Sequence, residues 1–497
     1  MPHRRSRHTR PRPGPQPTAT RSNSSPARRL ATTKNNAAES DPPSALTARA
    51  LVPWVVGTTV AFFALVALDH FVLHGDVLTT FQDIRPLSPL YAFWMPEMKP
   101  ASFAFVLAAF VCLWHLPRLL SSRTSAMRFG ATLFGMSLVL PLTLFLVREG
   151  AAQIGSQFLI YPGEEYFDDA LRVRDLRGFL QHYTELVPQL SLHGRVHPPG
   201  FATLLYIIGR VISPSPFAAG VAVLLLFAAG VFIAWRAFAL VLDRRAARFA
   251  AVALLAAPSL LDFACTSMDA VFFTAGTLVI WAAFLSFSDR GRWWHGAMTG
   301  LALFAAAFCS FSAAPVALFV GLYGIVLWWN RKSWRLPIQL SIALVSFIAA
   351  YGAVRYAVGF DLWESFRVAR AQHYEIMREV IGRSVASAYL STTLGNTAAL
   401  LIGTGLSVVP LFFRGARRAL ATPDSRAPYL ATVVTLAVVC AGGLYTMETE
   451  RILMFAMPWL ALSAGVAATL SDGAAVFIIA VAWVQALAME ALLFTLW

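Results

Sequence analysis

The sequence predicts an all-α, polytopic transmembrane protein of about 13 spans, with amphipathic juxtamembrane helices on its outer face. Three observations predict it. Of 497 residues, 57% are hydrophobic and only 13% are charged, too little charge for a soluble chain of this size. Apolar runs of roughly 17–25 residues recur, each long enough to cross a hydrocarbon core of about 30 Å. Barrel-like alternation is absent, and inside lipid only helices and closed barrels satisfy their backbone groups.

Residues 1–50 carry much of the net charge of +14 and are rich in Arg, Pro, Ser and Thr. Such a segment cannot bury enough apolar surface to fold, so a disordered basic cytoplasmic tail is expected. It sets orientation and meets anionic lipid rather than nucleic acid. The apolar run that follows lacks the short core and small-residue cleavage site of a signal peptide. The spans are then expected at 51–73, 101–119, 129–147, 216–240, 246–262, 269–287, 295–310, 313–329, 337–357, 389–412, 429–446, 452–470 and 474–496. The first two form an N-terminal transmembrane hairpin, 51–119, and 120–497 forms the main membrane domain. Cys112, Cys265, Cys309 and Cys440 lie in or beside these runs without metal-ligand spacing and read as small packing residues.

Residues 200–212 decide the topology. If they cross, the basic loops "DRRAAR" (243–248), "SDRGRWWH" (288–295), "NRKSWR" (330–335) and "RGARRAL" (414–420) all fall outside. If they do not, all four lie inside with the tail, as short Lys/Arg-rich loops do. Phe201, Leu204, Leu205, Ile208 and Ile212 recur at helical spacing, opposite Thr203, Tyr206 and Arg210. That pattern is an interfacial helix on the outer surface, entered through Pro198 and Pro199. The long loops 74–100, 148–215 and 358–388 then lie outside, and so does the turn "TMETER" (446–451).

The polar residues of this outer side are the candidates for chemistry. In "YPGEEYFDDALRVRDL", Glu164 and Glu165 share a helical face with Asp168 or Asp169. Packed like charges repel unless a cation or proton intervenes, and a carboxylate raised in this way is a general-base candidate. The alternative is a solvated loop balanced by Arg172, Arg174 and Arg177. His193, Arg195 and His197 form an "H-x-R-x-H" run suited to proton relay or phosphate, and an interfacial turn explains it equally. Glu448, Glu450 and Arg451 sit between two spans with almost no loop, where charge is costly and is functional or paired. "WESFRVARAQHYEIMREVIGR", with His373 and Arg383, reads as a basic amphipathic helix with snorkelling arginines. Asp269 opens a span, where capping is the simpler role. No phosphate loop, "G-x-S-x-G" or "H-E-x-x-H" pattern is present.

An acidic first large outer loop, then "HPPG" and a short apolar helix, resembles the GT-C superfamily of membrane glycosyltransferases. That superfamily includes protein O-mannosyltransferases, the bacterial aminoarabinose transferase, and actinobacterial arabinosyl- and mannosyltransferases. "TSMDAVFFTAGTLVIW" is similar to the family's "D-A-x-x-x-F" helix start, and "GLALFAAAFCSFSAAPVAL" to its following hairpin. "HYEIMREVIGRSVASAYLSTTLGN" and "ETERILMFAMPW" resemble segments of some bacterial members. The family commonly has an Asp-Glu pair soon after its first span; here Glu-Glu and Asp-Asp stand further out, so the base stays open among Glu164, Glu165, Asp168 and Asp169. The resemblance implies an inverting transfer of a sugar from a polyprenyl-phosphate donor to a lipid, glycan or protein hydroxyl, at the outer face of a bacterial inner membrane. It implies a carboxylate base, with Glu165 or Asp168 preferred. His193, Arg195, His197, Asp269, His373, Arg383, Glu448, Glu450 and Arg451 would contact substrate, with Arg451 and His197 near the phosphate. No resident cofactor is required, a divalent cation being the one candidate. A transporter or lipid flippase would use the same charges as a translocation path, but no half-repeat is visible.

Overall fold

The computed structural model describes residues 45–73, 90, 92–160, 163–381, 389–443, 445, 448–467 and 469–495. Most of the basic tail and Arg383 lie outside the described residues. The protein is all-α: among the described residues, 79% are helical. Its one sheet among the described residues is a two-stranded antiparallel ribbon, Ala92–Trp94 against Leu493–Thr495. Arg148 fastens this ribbon, donating to the carbonyls of Met95 (2.5 Å), Leu493 (3.2 Å) and Glu490 (3.2 Å).

Not every one of the about 13 expected spans is a single long apolar helix. Among the described residues, eight helices are long and apolar enough to cross a membrane: Ala48–Phe71, Ser102–Leu120, Ala126–Phe145, Pro216–Phe238, Asp269–Phe287, Ala313–Arg331, Arg335–Val358 and Asp472–Leu492. The count becomes nine if the bent pair Tyr389–Thr404 and Val409–Ala421 is one span. Of the other expected spans, Trp293–Cys309 has 17 residues, Pro423–Ala441 is an unbroken 19-residue helix that opens on the charged Asp424 and Arg426, and the rest are interrupted. Arg244–Leu255 ends before Pro258, which cannot continue a helix, and a short Pro258–Asp262 helix follows. Residues 449–467 break into Thr449–Ile452, Leu453–Ala456 and Met457–Ala467. The bent pair turns through 94° at Gly405, whose φ of +101° favours glycine. Backbone groups freed by that break are met from a neighbouring span: Leu406 N donates to Gln485 Oε1 (2.9 Å), and Gln485 Nε2 donates to Ile402 O (2.7 Å). Irregular backbone at membrane depth is tolerated only when satisfied in this way.

The basic loops meet at one end of the bundle. Arg244 donates to Thr124 O (2.6 Å), Arg245 pairs with Asp472 (2.5 Å), and Arg418 donates to Thr469 Oγ1 (3.2 Å). Leu46 N donates to Thr469 O (2.8 Å), which joins the chain leading into the first helix to the same end. Buried Arg248 holds the 121–124 turn through the carbonyls of Ser121 and Thr124 and lies over the Phe129 ring.

The Gly200–Val211 helix has 12 residues, so it is only about 18 Å long and cannot cross. Phe201, Leu205 and Ile208 are buried, as its pattern predicts, but Thr203 is buried with them and Ile212 is 67% exposed. The next helix, Pro216–Phe238, starts against the loop that follows the Ala126–Phe145 helix. A Cβ on Gly155, whose φ is +82°, would lie 2.0 Å from Pro216 O. Among the eight long apolar helices, Asp269–Phe287 is the most enclosed, with 72% of its apolar window buried.

Candidate active site

The 163–200 segment is folded around its own polar residues. Glu165 caps the Tyr166–Arg172 helix in an extended conformation, φ −100° and ψ 147°. The four acidic side chains therefore do not share one helical face. This corrects the sequence expectation, which assumed a helix running through Glu164 and Glu165; the helix starts at Tyr166 and leaves both glutamates outside it. Asp168 Oδ2 accepts from Gly163 N (2.5 Å). Asp169 is buried and accepts from Ser191 N (2.9 Å) and Ser191 Oγ (2.6 Å). Burial raises the Asp169 carboxyl, and the Ser191 hydrogen bonds work against that rise. Both aspartates hold loop to loop. A Cβ on Gly194 would sit 2.2 Å from Asp169 Oδ2, so only glycine lets the chain pass.

Tyr183, buried, places its hydroxyl 3.0 Å from Gly194 O and 2.7 Å from His197 O, fixing the turn before the double proline. Gly200 admits a close approach to another helix end: a Cβ there would lie 2.3 Å from Phe308 O. Arg195 turns back to its own loop, with Nε donating to Leu190 O (3.0 Å).

The structure brings Glu165, His193, His197, Asp269, His373, Glu448 and Arg451 together. His193 Nε2 lies 3.7 Å from Glu165 Oε1, with both residues buried. Tyr166 packs against His193, His197 and Phe201, with ring centroids 5.6, 5.8 and 5.0 Å apart. Arg451 Nε lies 3.1 Å from Asp269 Oδ2, and Arg451 Nη2 pairs with Glu448. Ser267 Oγ donates to Asp269 Oδ2 (2.8 Å), which steadies the carboxylate at the start of its helix. Glu448 takes a left-handed φ of +55°, uncommon for a non-glycine residue. Glu450, also buried, lines a cavity with Asp262 and Glu490.

The electrostatics follow from this burial. Burial pushes the Glu165 carboxyl up to about 8; the Arg451 charge lowers it, and Glu448, Glu164 and Asp269 raise it. Glu448 is raised to about 7 by burial, against the pull of Arg451. Burial acts against the Arg451 charge, but Glu448, Asp269 and Glu165 outweigh it and raise the guanidinium further. His193 is held well below the usual histidine range by burial and then by Arg451. Burial lowers His197 to about 4, although Asp269 raises it, and burial also lowers His373, whose charge in turn opposes that of His197. The site thus pairs neutral imidazoles and near-neutral carboxyls with one permanent cation. His197 Nδ1 is buried without a hydrogen-bond partner among the described residues. Among the described residues, no group of three or more His, Cys, Asp or Glu side chains is arranged to hold a metal ion.

Tyr166, Tyr183, Ser191 and Gly194 escaped the sequence reading. Each stands within or beside a motif that it singled out, but nothing local distinguishes a tyrosine that locks a loop from one that faces a headgroup.

No protein-family model and no curated protein sequence matches the chain. Among solved structures it is similar to ArnT from Cupriavidus metallidurans bound to undecaprenyl phosphate, at 15% identity and a TM-score of 0.43, over 69% of this chain and 60% of that one. The apo state of ArnT is similar at 14% identity and a TM-score of 0.42, with the same coverage. The match thus spans less than two thirds of ArnT's own length.

Proposed function

We propose that the protein is a membrane glycosyltransferase of GT-C type. It moves a sugar from a polyprenyl-phosphate donor to an acceptor hydroxyl at the outer membrane face, with inversion. The observation that carries this reading is the buried Glu165–His193 pair standing within the field of Arg451. Ionised Glu165 takes the proton of the acceptor hydroxyl. The acceptor oxygen forms its bond to the anomeric carbon as the bond from that carbon to the phosphate oxygen breaks. The electron pair leaves on the phosphate, which Arg451 meets. Asp269 and Glu448 orient the guanidinium. Because Glu165 and Glu448 are both raised toward neutrality, the site can carry protons, which eases the approach of an anion. His197 offers a neutral hydrogen-bonding ring to the sugar or acceptor.

The test is transfer by purified protein from a synthetic polyprenyl-phosphate sugar, with the product's anomeric configuration read by NMR. Transfer with inversion is the expected result. Movement of intact donor across a vesicle bilayer, without cleavage, would establish the transporter reading instead.

Orientation has its own test. Single cysteines at Ser213 and Arg244 stand at opposite ends of the Pro216–Phe238 helix. An impermeant reagent added outside should label position 213 and not 244. Labelling of 244 alone would place the site on the cytoplasmic side.

A further inference from the structure

We propose that the turn between the helices Ala313–Arg331 and Arg335–Val358 binds the headgroup of an anionic phospholipid, with Lys332 as the phosphate contact. Lys332 caps the first helix in a left-handed conformation, φ 50° and ψ 30°, with its N–H donating to Trp328 O (2.7 Å). Glycine takes that conformation without steric penalty and is the usual residue there; a lysine is uncommon. From this cap Lys332 Nζ lies 4.0 Å from the centroid of the Trp329 ring.

The neighbouring cations are already committed. Arg331 pairs with Asp424 (2.6 Å) and Asp289 (3.4 Å), and Arg335 donates to Asp289 O (2.8 Å). Lys332 is exposed and has no carboxylate partner among the described residues. In the same turn, Trp329 and Trp334 are 68% and 73% exposed. Both flanking helices are long and apolar enough to span, so the turn stands at a bilayer boundary. Indole rings settle at headgroup depth, and a lysine between them faces the layer of phosphodiesters. Charge complementarity therefore selects an anionic lipid as occupant.

The full-length protein is purified in a zwitterionic detergent, and phosphatidylglycerol retention is measured by native mass spectrometry. Lys332→Gly keeps the left-handed cap and removes the charge. Wild type should retain phosphatidylglycerol over phosphatidylcholine, and Lys332→Gly should weaken that retention about fivefold, the loss expected for one lysine at an anionic surface. Its thermal stability without added lipid should be unchanged or higher. Lys332→Asn, which also tolerates the cap, should reproduce the loss and guards against a defect peculiar to glycine. Retention equal to wild type in both variants overturns the proposal. Full displacement of the lipid by inorganic phosphate at constant ionic strength also overturns it, because the site would then read phosphate alone.

Discussion

Glu165→Gln is expected to reduce sugar transfer by about 10²–10⁴, the usual contribution of a general base, while the protein stays folded. The substitution keeps the shape of the side chain beside His193 and removes only its ability to take a proton. In the wild type, transfer should rise with pH toward about 8 as the buried carboxyl ionises, because only the ionised form accepts the acceptor's proton. Stability should run the other way. The folded protein holds a proton on Glu165 that the unfolded chain, with a value near 4.5, has released. Between those values the native state binds more protons than the unfolded state, so stability falls as pH rises through the window. Glu165→Gln lacks this titration. It should therefore unfold at a higher temperature than wild type above pH 8, with the difference shrinking toward pH 4.5. The measurements are single-turnover transfer and thermal unfolding at pH 6 and pH 9. Full activity in Glu165→Gln would end the base assignment and return the question to Glu164, since Asp168 and Asp169 are bonded to Gly163 and Ser191.

Arg451→Met is expected to cost about 3–5 kcal/mol of stability, because it leaves buried carboxylates without their cation. Its partners at ion-pair distance include Glu448, in the same turn, and Asp269, at the start of a different helix. Sequence reading had matched the arginine with Glu448 and Glu450. The remedy should accordingly be the triple variant Arg451→Met, Asp269→Asn, Glu448→Gln, which removes the charges together and should restore most of the lost stability. Donor binding separates the two roles of Arg451. If the arginine only neutralises its neighbours, the triple variant will bind polyprenyl-phosphate donor as the wild type does. If it meets the phosphate, folding recovers and binding does not. Arg451→Lys should keep the fold and weaken donor binding, since an ammonium cannot present two parallel N–H bonds to phosphate oxygens.

The sequence by itself determined the membrane class, the approximate places of the eight long apolar helices, the gathering of basic loops at one end and the short helix at 200–211. These are sums over local windows: hydrophobic length, helical spacing and the sign of short loops need no knowledge of the partner across the bundle. It also singled out the acidic run, the histidines and the 448–451 turn, because polar residues stand out in so apolar a chain. Only the tertiary structure decided among them. Asp168 and Asp169 look like Glu164 and Glu165 in one dimension, yet the aspartates accept backbone and serine hydrogen bonds while Glu165 lies buried beside His193. Asp269 looked like a helix cap and is the ion-pair partner of Arg451, from a helix remote in the chain. The break at Gly405 depended on Gln485 reaching across to satisfy the opened backbone. The physical reason is the same in each case. Whether a buried polar group is a structural tie or a reactive one depends on which donor, acceptor or charge stands within about 3–4 Å of it, and that neighbour is supplied by folding rather than by adjacent sequence.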